Sequence, residues 1–286
     1  MRWLITGAGG MLGRELVARL TAAGCGNDRV IALDRSALDV TQRTAVFAAL
    51  NRYRPDVVVN CAAYTAVEAA ESDEAAAWAV NGAGPGHLAA ACAEYGIRLI
   101  HVSTDYVFSG DARSPYGEDS PPAPRTAYGR SKAAGERAVL AAHLPPFTVV
   151  RTAWLYGAHG RSFVRTMVEA ARRGKTVRVV ADQYGQPTWA TDTAARIVVL
   201  GRASGAGGVF HATNAGVATW HELASEIYRA LDADPGRVHA ISSAEYAGPA
   251  RRPAYTVLGH DRWQEWGIAP LRHWRTALRH ALDHLR

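Results

Sequence analysis

The sequence predicts an α/β protein built on a doubly wound parallel sheet. Through the first 157 residues, short runs of β-branched and apolar residues alternate with longer, Ala-rich segments of helical pattern. The short runs are continuously apolar rather than alternating, which is typical of strands buried on both faces of a parallel sheet. Right-handed crossovers between such units place helices on both sides of the sheet.

Each element follows from its own pattern of residues. Strands are predicted at residues 2–7, 29–34, 56–63, 98–104 and 147–157, and helices at 13–24, 42–54, 74–96 and 131–142. After residue 157 the rhythm changes to amphipathic helices at 162–174 and 219–232, a strand at 176–180, a loop at 182–189, and a tail that is helical around a proline break at 261–285. A helix at 190–203 and a strand at 208–213 form one more unit that can rejoin the sheet.

The composition is that of an ordinary globular chain. Of 286 residues, 48% are hydrophobic and 20% are charged, and no apolar run reaches the length of a membrane span. The start of the chain has no secretion-signal pattern, and Cys25, Cys61 and Cys92 show no paired spacing. We therefore expect a cytoplasmic protein with free thiols and no membrane partner.

The net charge of +6 mildly favours an anionic partner. The arginines are scattered and form no basic block or arm, which is unlike a nucleic-acid-binding surface. A small phosphorylated ligand therefore fits the charge as well as a nucleic acid does, and no nucleic-acid partner is expected.

A glycine-rich turn stands between the first strand and the first helix. In "TGAGGMLG", Gly7, Gly10 and Gly13 are spaced G-x-x-G-x-x-G. Glycines at these positions let the backbone turn tightly and approach a pyrophosphate seated on the helix N-terminus. The motif predicts a dinucleotide cofactor and a Rossmann-type domain.

The end of the second strand carries two residues with opposite implications. Asp34 lies about 20 residues past the glycine turn, where an acid can bind a ribose hydroxyl and favour NAD. Arg35 could instead meet the 2′-phosphate of NADP. The sequence leaves this choice open, with NADPH as the first expectation and NADH possible; Asp39 and Val40 follow near the expected adenine.

Residues at the carboxyl ends of the third and fourth strands are expected to face the crevice in which the cofactor binds. Small residues after the third strand, Ala62, Ala63 and Thr65, permit close approach of a cofactor, and Val67 and Glu68 are expected to start a loop over the substrate. Ser103 and Thr104 place hydroxyls at the end of the fourth strand, where a hydroxyl can donate to a carbonyl or share a proton relay.

The segment "YGRSK" places Tyr128 and Lys132 on one face of a helix. Lys132 is one of only two lysines among 32 lysine and arginine residues. A nearby ammonium is expected to lower the pKa of a tyrosine from about 10 and so ease proton exchange. Its compact charge can also reach cofactor ribose hydroxyls, which the rigid fork of an arginine does less well.

These motifs divide the chain. Residues 1–152 and about 190–213 are expected to form the NAD(P)-binding domain. Residues about 153–189 and 214–286 are expected to form a smaller, discontinuous α/β domain that recognises the substrate.

Together the motifs resemble an extended short-chain dehydrogenase/reductase, and more narrowly the dTDP-4-dehydrorhamnose reductase family. The resemblance covers nearly the whole chain and is carried by "LITGAGGMLGREL", "LDVT", "RPDVVVNCAAYTAVEAAE", "STDYVFSG", "YGRSKAAGE", "VRTAWLYG", "DQYGQPTW" and "RRPAYTVL". It implies reduction by NAD(P)H at C4 of a dTDP-4-keto-6-deoxy-L-sugar, most simply dTDP-4-dehydrorhamnose to dTDP-L-rhamnose.

The resemblance also implies roles for individual residues. Tyr128 would donate the proton, Lys132 would position the nicotinamide ribose, and Thr104 would hydrogen-bond the carbonyl. Met11 and Leu12 would join the glycines along the pyrophosphate, while Asp105, Tyr106 and Trp154 would contact the sugar. Related dehydratases carry a carboxylate where Tyr106 stands, so Tyr106 favours simple reduction. Asp105 precedes that position by one residue, so its carboxylate should point to the other side of an extended segment.

Three positions depart from the family pattern. Met11 stands where the family usually has Gln, and Ser162 replaces a common Asn. Some relatives bind magnesium at a dimer interface through acidic side chains; Glu15 matches one, but Thr191 stands where a second acid would be expected, so no metal is predicted. The departures leave room for a 4-ketoreductase acting on another dTDP-deoxysugar, such as one that forms dihydrostreptose.

Some proteins with this fold are not enzymes. A non-catalytic NADP-binding subunit that regulates another enzyme would have the same fold but tends to lose part of the Thr104, Tyr128 and Lys132 set. All three are present here, which favours an enzyme. The sequence does not decide between a monomer and a homodimer.

Overall fold

The computed structural model describes residues 1–22, 28–142, 147–203, 205–246 and 248–285. The expected free thiol Cys25 and the predicted helix end at Gly24 lie outside these ranges. The strands are β1 (Arg2–Thr6), β2 (Arg29–Leu33), β3 (Val57–Asn60), β4 (Arg98–Thr104), β5 (Thr148–Thr152), β6 (Leu155–Tyr156), β7 (Val177–Val180), β8 (Tyr184–Gly185), β9 (Thr188–Trp189), β10 (Gly208–His211), β11 (Asn214–Ala215), β12 (Ala218–Thr219), β13 (Val238–Ile241) and β14 (Leu271–His273). The α-helices are α1 (Met11–Thr21), α2 (Arg43–Tyr53), α3 (Val67–Ala70), α4 (Glu74–Trp78), α5 (Gly84–Tyr95), α6 (Ala127–Leu140), α7 (Phe163–Arg172), α8 (Ala190–Arg202), α9 (Trp220–Ala230), α10 (Asp261–Glu265) and α11 (Trp274–His284).

Six strands form one parallel sheet in the order β2–β1–β3–β4–β5–β10. The chain reverses its direction of progress between β1 and β3. In doubly wound sheets, ligands bind at such a switch point, beyond the carboxyl ends of the strands. The predicted α/β fold and parallel sheet are confirmed.

Helices cover both faces of this sheet. On one face, Leu16 of α1 and Ile197 of α8 pack with Trp3 and Ile5 of β1 in one hydrophobic cluster. On the other face, a second cluster joins α2, α5 and α6 to alternate residues of the same strands. Burial on both faces explains why the strands read as continuous apolar runs.

A separate, smaller core lies in the last part of the chain. Its members come mainly from α7, α9 and α11, and they include the fully buried side chains Tyr156, Tyr228 and Trp274. Strand β7 pairs in parallel with β13 beside this core. The chain returns to the large sheet between the segments that build this smaller core. There α8 packs against α1, and β10 pairs with β5.

Three predicted elements differ in detail. The helix predicted at 74–96 is α4 and α5 joined by a π-helical turn, Ala79–Ala83, at its glycine-containing middle. The strand predicted at 147–157 breaks at Trp154, whose φ is +46°. The loop predicted at 182–189 contains the two-residue strands β8 and β9, which are too short to leave a periodic pattern. None of the helices in the described ranges has the length and apolarity needed to span a membrane.

Candidate active site

Two cavities meet at the carboxyl edge of the sheet, on either side of the glycine turn. We call the larger one, about 570 Å³, the catalytic lobe, and the other, about 440 Å³, the adenosine lobe. Gly10, Cys61 and Ala63 line both, so the two lobes form one continuous crevice at the β1/β3 switch point. A crevice of this length and position suits an extended dinucleotide.

The glycine turn is shaped for close backbone contact. Gly7 has a φ of +62°, and a Cβ there would lie 2.6 Å from the backbone nitrogen of Ala62. Gly10 precedes α1 without a capping side chain, so the first N–H groups of α1 face the crevice uncovered. An anion is stabilised at such a helix N-terminus. The predicted residues Met11, Leu12 and Gly13 line the catalytic lobe.

The adenosine lobe contains the other predicted cofactor residues. Asp34, Arg35, Asp39, Val40 and Ala62 line it, together with Gly7 and Ala63. One carboxylate oxygen of Asp34 accepts hydrogen bonds from the backbone N–H groups of Ser36 and Ala37 and from the Ser36 hydroxyl. These bonds hold the pKa of Asp34 below its usual range. Asp34 therefore also shapes the turn that presents the exposed Arg35.

Thr104, Tyr128 and Lys132 converge on the catalytic lobe from two elements. Thr104 ends β4, while Tyr128 and Lys132 lie one turn apart near the start of α6. Thr126 caps that helix by accepting from the N–H of Gly129, which places Tyr128 in its first turn. The predicted shared face of Tyr128 and Lys132 is thus present.

The predicted effect of Lys132 on Tyr128 is not seen in this structure. Burial raises the pKa of Tyr128 to about 12, and hydrogen bonding with Thr104 opposes the rise. Lys132 is fully buried and donates from Nζ to the carbonyl of Val102 at 2.6 Å, so its charge is held toward β4. Burial also lowers the pKa of Lys132 to about 8, while Glu136 and Cys61 act in the opposite direction.

Asp105 is not among the residues that line the catalytic lobe, and it begins a 3₁₀ turn rather than lying in the expected extended segment. Its carboxylate accepts from the Thr104 hydroxyl at 2.9 Å and from the Thr256 hydroxyl at 2.6 Å, and it is fully buried. Burial raises the pKa of Asp105 to about 6, although both hydrogen bonds lower it. Asp105 thus supports Thr104 from behind.

Of the remaining predicted substrate residues, only Trp154 lines the catalytic lobe. Tyr106 contacts the Tyr128 ring edge-to-face with centroids 5.6 Å apart. Val67 and Glu68 begin the short helix α3 rather than a loop, and Glu68 forms an ion pair with Arg252 at 2.8 Å. The residues lining the lobe include neither Val67, Glu68, Asp105 nor Tyr106.

Ser103, which the sequence places beside Thr104 at the end of the fourth strand, also borders the catalytic lobe. Three further lining residues carried no clear signal in the sequence: Thr152, Gly160 and Arg161. Arg161 lies in an irregular segment whose path toward the crevice depends on tertiary packing.

A direct hydrogen bond joins Thr191 and Glu15, the two positions where the resemblance would place acidic magnesium ligands. Thr191 donates to a carboxylate oxygen of Glu15 at 2.7 Å. Across the residues that the structure describes, no group of three or more His, Cys, Asp or Glu side chains could hold a metal ion. The absence of a metal stays a prediction.

Comparison with known proteins gives close relatives over the whole chain. A probable dTDP-4,6-dihydroxy-2-methyloxan-3-one 4-ketoreductase of Streptomyces antibioticus is 60% identical over 98% of this chain and 94% of its own length. A dTDP-4-dehydrorhamnose reductase of Streptomyces griseus is 53% identical over 97% of this chain and 91% of its own.

A solved structure agrees in fold. The dTDP-4-dehydrorhamnose reductase of Bacillus anthracis, in complex with NADP, superposes with a TM-score of 0.92 at 34% identity, covering 99% of this chain and 98% of that one. The model of the family described as the RmlD substrate binding domain matches residues 1–286. With a family match over its full length and relatives above half identity, this chain belongs to the RmlD substrate binding domain family.

Proposed function

We propose that this protein is an NADPH-dependent reductase of the C4 ketone of a dTDP-4-keto-6-deoxysugar. The observation that carries the proposal is the convergence of Thr104, Tyr128 and Lys132 on one lobe of a crevice whose other lobe begins at the glycine turn. Relatives at 60% and 53% identity are named as 4-ketoreductases or dehydrorhamnose reductases of dTDP-sugars.

The residues of the crevice suit the cofactor. NADPH, when bound, supplies the hydride. The N-terminus of α1 would hold its pyrophosphate, and the adenosine lobe would hold its adenosine with Arg35 toward the 2′-phosphate. Ala63, Thr65 and Lys132 would hold the nicotinamide end in the catalytic lobe. Arg35 favours NADPH over NADH, and the Bacillus anthracis relative was solved with NADP.

Tyr128 is the proton donor in this proposal. Reduction of a ketone needs a proton at the oxygen, and the raised pKa keeps the Tyr128 phenol protonated at neutral pH until the oxygen becomes basic. The Thr104 hydroxyl, which donates to Asp105 in this structure, would orient the ketone oxygen by turning its proton from Asp105 to that oxygen. Lys132 borders the same lobe, where it would hold the nicotinamide ribose.

The sugar would lie between Tyr128 and Trp154, with Tyr106 packed behind Tyr128. We take dTDP-4-dehydrorhamnose, giving dTDP-L-rhamnose, as the first substrate. The relative at 60% identity supports a second candidate, the 4-keto sugar in its name, which lacks a hydroxyl next to the anomeric carbon. Val67 and Glu68 would act on the substrate side through α3, and Asp105 would act there through Thr104.

We propose that two parts of the chain divide cofactor binding and substrate recognition between them. Residues 1–152 and about 190–213 bind the cofactor, and residues about 153–189 and 214–286 recognise the sugar nucleotide. We propose a cytoplasmic enzyme without nucleic-acid or membrane partners, working as a monomer or a homodimer.

The test is oxidation of NADPH by the purified protein. The dTDP-4-keto-6-deoxyglucose precursor is supplied with and without a 3,5-epimerase, and the sugar product is identified by NMR. Rhamnose formed only with the epimerase supports the first substrate, and turnover of a 2-deoxy 4-keto sugar alone supports the second. No oxidation above background with any of these sugars, while NADPH still binds, would support the non-catalytic NADP-binding subunit instead.

A further inference from the structure

Behind Lys132, a line of buried polar side chains crosses the sheet. It runs from Thr6 on β1 through Asn60 on β3 to His101 on β4, and all three are fully buried. His101 Nε2 lies 3.5 Å from Lys132 Nζ. The three side chains are not among those lining the catalytic lobe, so any influence they have on it passes through Lys132.

The orientation of the Asn60 amide is fixed by the backbone. Its Oδ1 lies 3.2 Å from the N–H of Ala62, and a backbone N–H can only donate. The same oxygen accepts from the Thr6 hydroxyl at 2.6 Å. The amide nitrogen of Asn60 therefore faces His101 and donates to its Nδ1 at 3.0 Å.

This hydrogen bond selects the tautomer of His101. Burial and the charge of Lys132 hold the pKa of His101 well below its usual range, so the ring is neutral. Because Nδ1 accepts, the ring proton is on Nε2. The Nε2–H group therefore faces Lys132 Nζ, where it cannot accept from the ammonium and can donate only to the neutral amine.

A second buried histidine on the same sheet shows the opposite arrangement. His211 Nδ1 lies 3.0 Å from the carbonyl oxygen of Gly259, which can only accept, so the proton of His211 is on Nδ1. Its Nε2 is then free to accept from Arg151 Nη1 at 3.4 Å. His211 thus presents an acceptor to Arg151, whose guanidinium stays charged. His101 presents a donor to Lys132.

We propose that His101 is a positioning residue for Lys132: as the Nε2–H tautomer it denies the ammonium an acceptor, so that the N–H groups not bound to Val102 turn toward the catalytic lobe and the amine loses its proton more easily. Other groups facing Lys132 act differently. Glu136 and Cys61 favour its charged form, and Tyr128 precedes it on the same helix face. The inference rests on the proposed function in one respect, the role of Lys132 in holding the nicotinamide end of the cofactor.

The chain allows a direct measurement, because Lys132 and Lys175 are its only lysines. Protein labelled with ¹³C at lysine Cε gives two signals, and the exposed Lys175 serves as an internal reference. In His101→Leu we expect the titration midpoint of Lys132 to rise by about one pH unit, the scale of one hydrogen-bonding interaction. His211→Leu, which removes the buried histidine beside Arg151, should leave that midpoint in place.

The tautomers are measured in the unmodified protein, which avoids any folding defect of the variants. With ¹⁵N-labelled histidine, the ring nitrogens of His101 should show the proton on Nε2 and those of His211 should show it on Nδ1. A proton on His101 Nδ1, or a Lys132 midpoint that stays or falls in a folded His101→Leu variant, overturns the proposal. These signals need no sugar substrate, so their failure is distinct from a failure of NADPH oxidation, which bears on the proposed function alone.

Discussion

The indole of Trp154 lies flat on the indole of Trp220, with ring centroids 3.4 Å apart and planes 7° apart. Trp154 adopts a left-handed backbone with φ +46°, and Gly185 faces its ring so closely that a Cβ would lie 2.5 Å from it. A non-glycine residue with this φ is uncommon and is held by its surroundings. Trp220 and Gly185 therefore set the wall that Trp154 presents to the catalytic lobe.

Removing the stack is expected to weaken sugar binding more than catalysis. In Trp220→Ala, the KM for the sugar nucleotide should rise about two- to tenfold, because an aromatic pair contributes about 0.5–1.5 kcal/mol. The KM for NADPH should not change, since Trp220 lies outside both lobes of the crevice. Steady-state kinetics measure both constants, and Trp266→Ala, which removes an exposed tryptophan, is the control. Equal changes in both KM values would contradict this role.

Tyr128→Phe separates binding from proton transfer. The variant keeps the ring that packs against Tyr106 but loses the hydroxyl. We expect NADPH to bind as in the parent, measured by fluorescence titration, while kcat falls about 10²- to 10⁴-fold, the usual contribution of a general acid. Full activity in this variant would remove Tyr128 as the proton donor.

The sequence predicted the sheet and the crevice but not how its side chains are partnered. Gly7, Thr104, Tyr128 and Lys132 were found because their spacing and their places at strand ends or a helix start are local properties. The partners Thr256 of Asp105, Arg252 of Glu68 and Val102 of Lys132 were not, because each contact joins distant segments or depends on the rotamer of a buried side chain. The expected lowering of the Tyr128 pKa was wrong because burial of the phenol raises it, and that burial depends on tertiary packing rather than on the local spacing.

The glycine turn offers a matched pair of substitutions. In Gly7→Ala, the new Cβ would lie 2.6 Å from backbone at Ala62, at a positive φ. In Gly9→Ala, its nearest contact would be the Asp34 Cβ at 3.6 Å, an ordinary distance. We expect Gly7→Ala to lower the free energy of unfolding by at least about 1–2 kcal/mol and to weaken NADPH binding strongly. Gly9→Ala should leave the free energy of unfolding nearly unchanged; because Gly9 also lines the adenosine lobe, this variant is the control for stability alone. Urea unfolding and cofactor titration measure both, and equal behaviour of the pair would argue against a turn shaped by Gly7.

Arg35→Ala tests the choice of cofactor. Arg35 is exposed at the adenosine lobe, where its guanidinium can pair with a phosphate in bidentate fashion. We expect the KM for NADPH to rise about tenfold, the effect of losing about 1.4 kcal/mol, while the KM for NADH stays within about twofold. Arg29→Ala, which changes an exposed arginine at the opposite end of β2 and outside the adenosine lobe, serves as the charge control. If both cofactors lose affinity equally, Arg35 does not recognise the 2′-phosphate.

Asp105 makes stability depend on pH in a direction opposite to that of an ion-paired carboxylate. Burial raises its pKa from 3.8 to about 6 in the folded protein, so the folded state binds the proton more tightly than the unfolded state does. The cost of burying the charge is present in full above pH 6 and is relieved as the pH falls through 6 toward 4. Relative to Asp105→Asn, the unmodified protein should therefore gain about 1 kcal/mol of unfolding free energy between pH 7.5 and pH 5. Urea unfolding of both proteins at the two pH values measures this difference, and a difference that is constant or of opposite sign would show that the Asp105 carboxylate is not destabilised by burial.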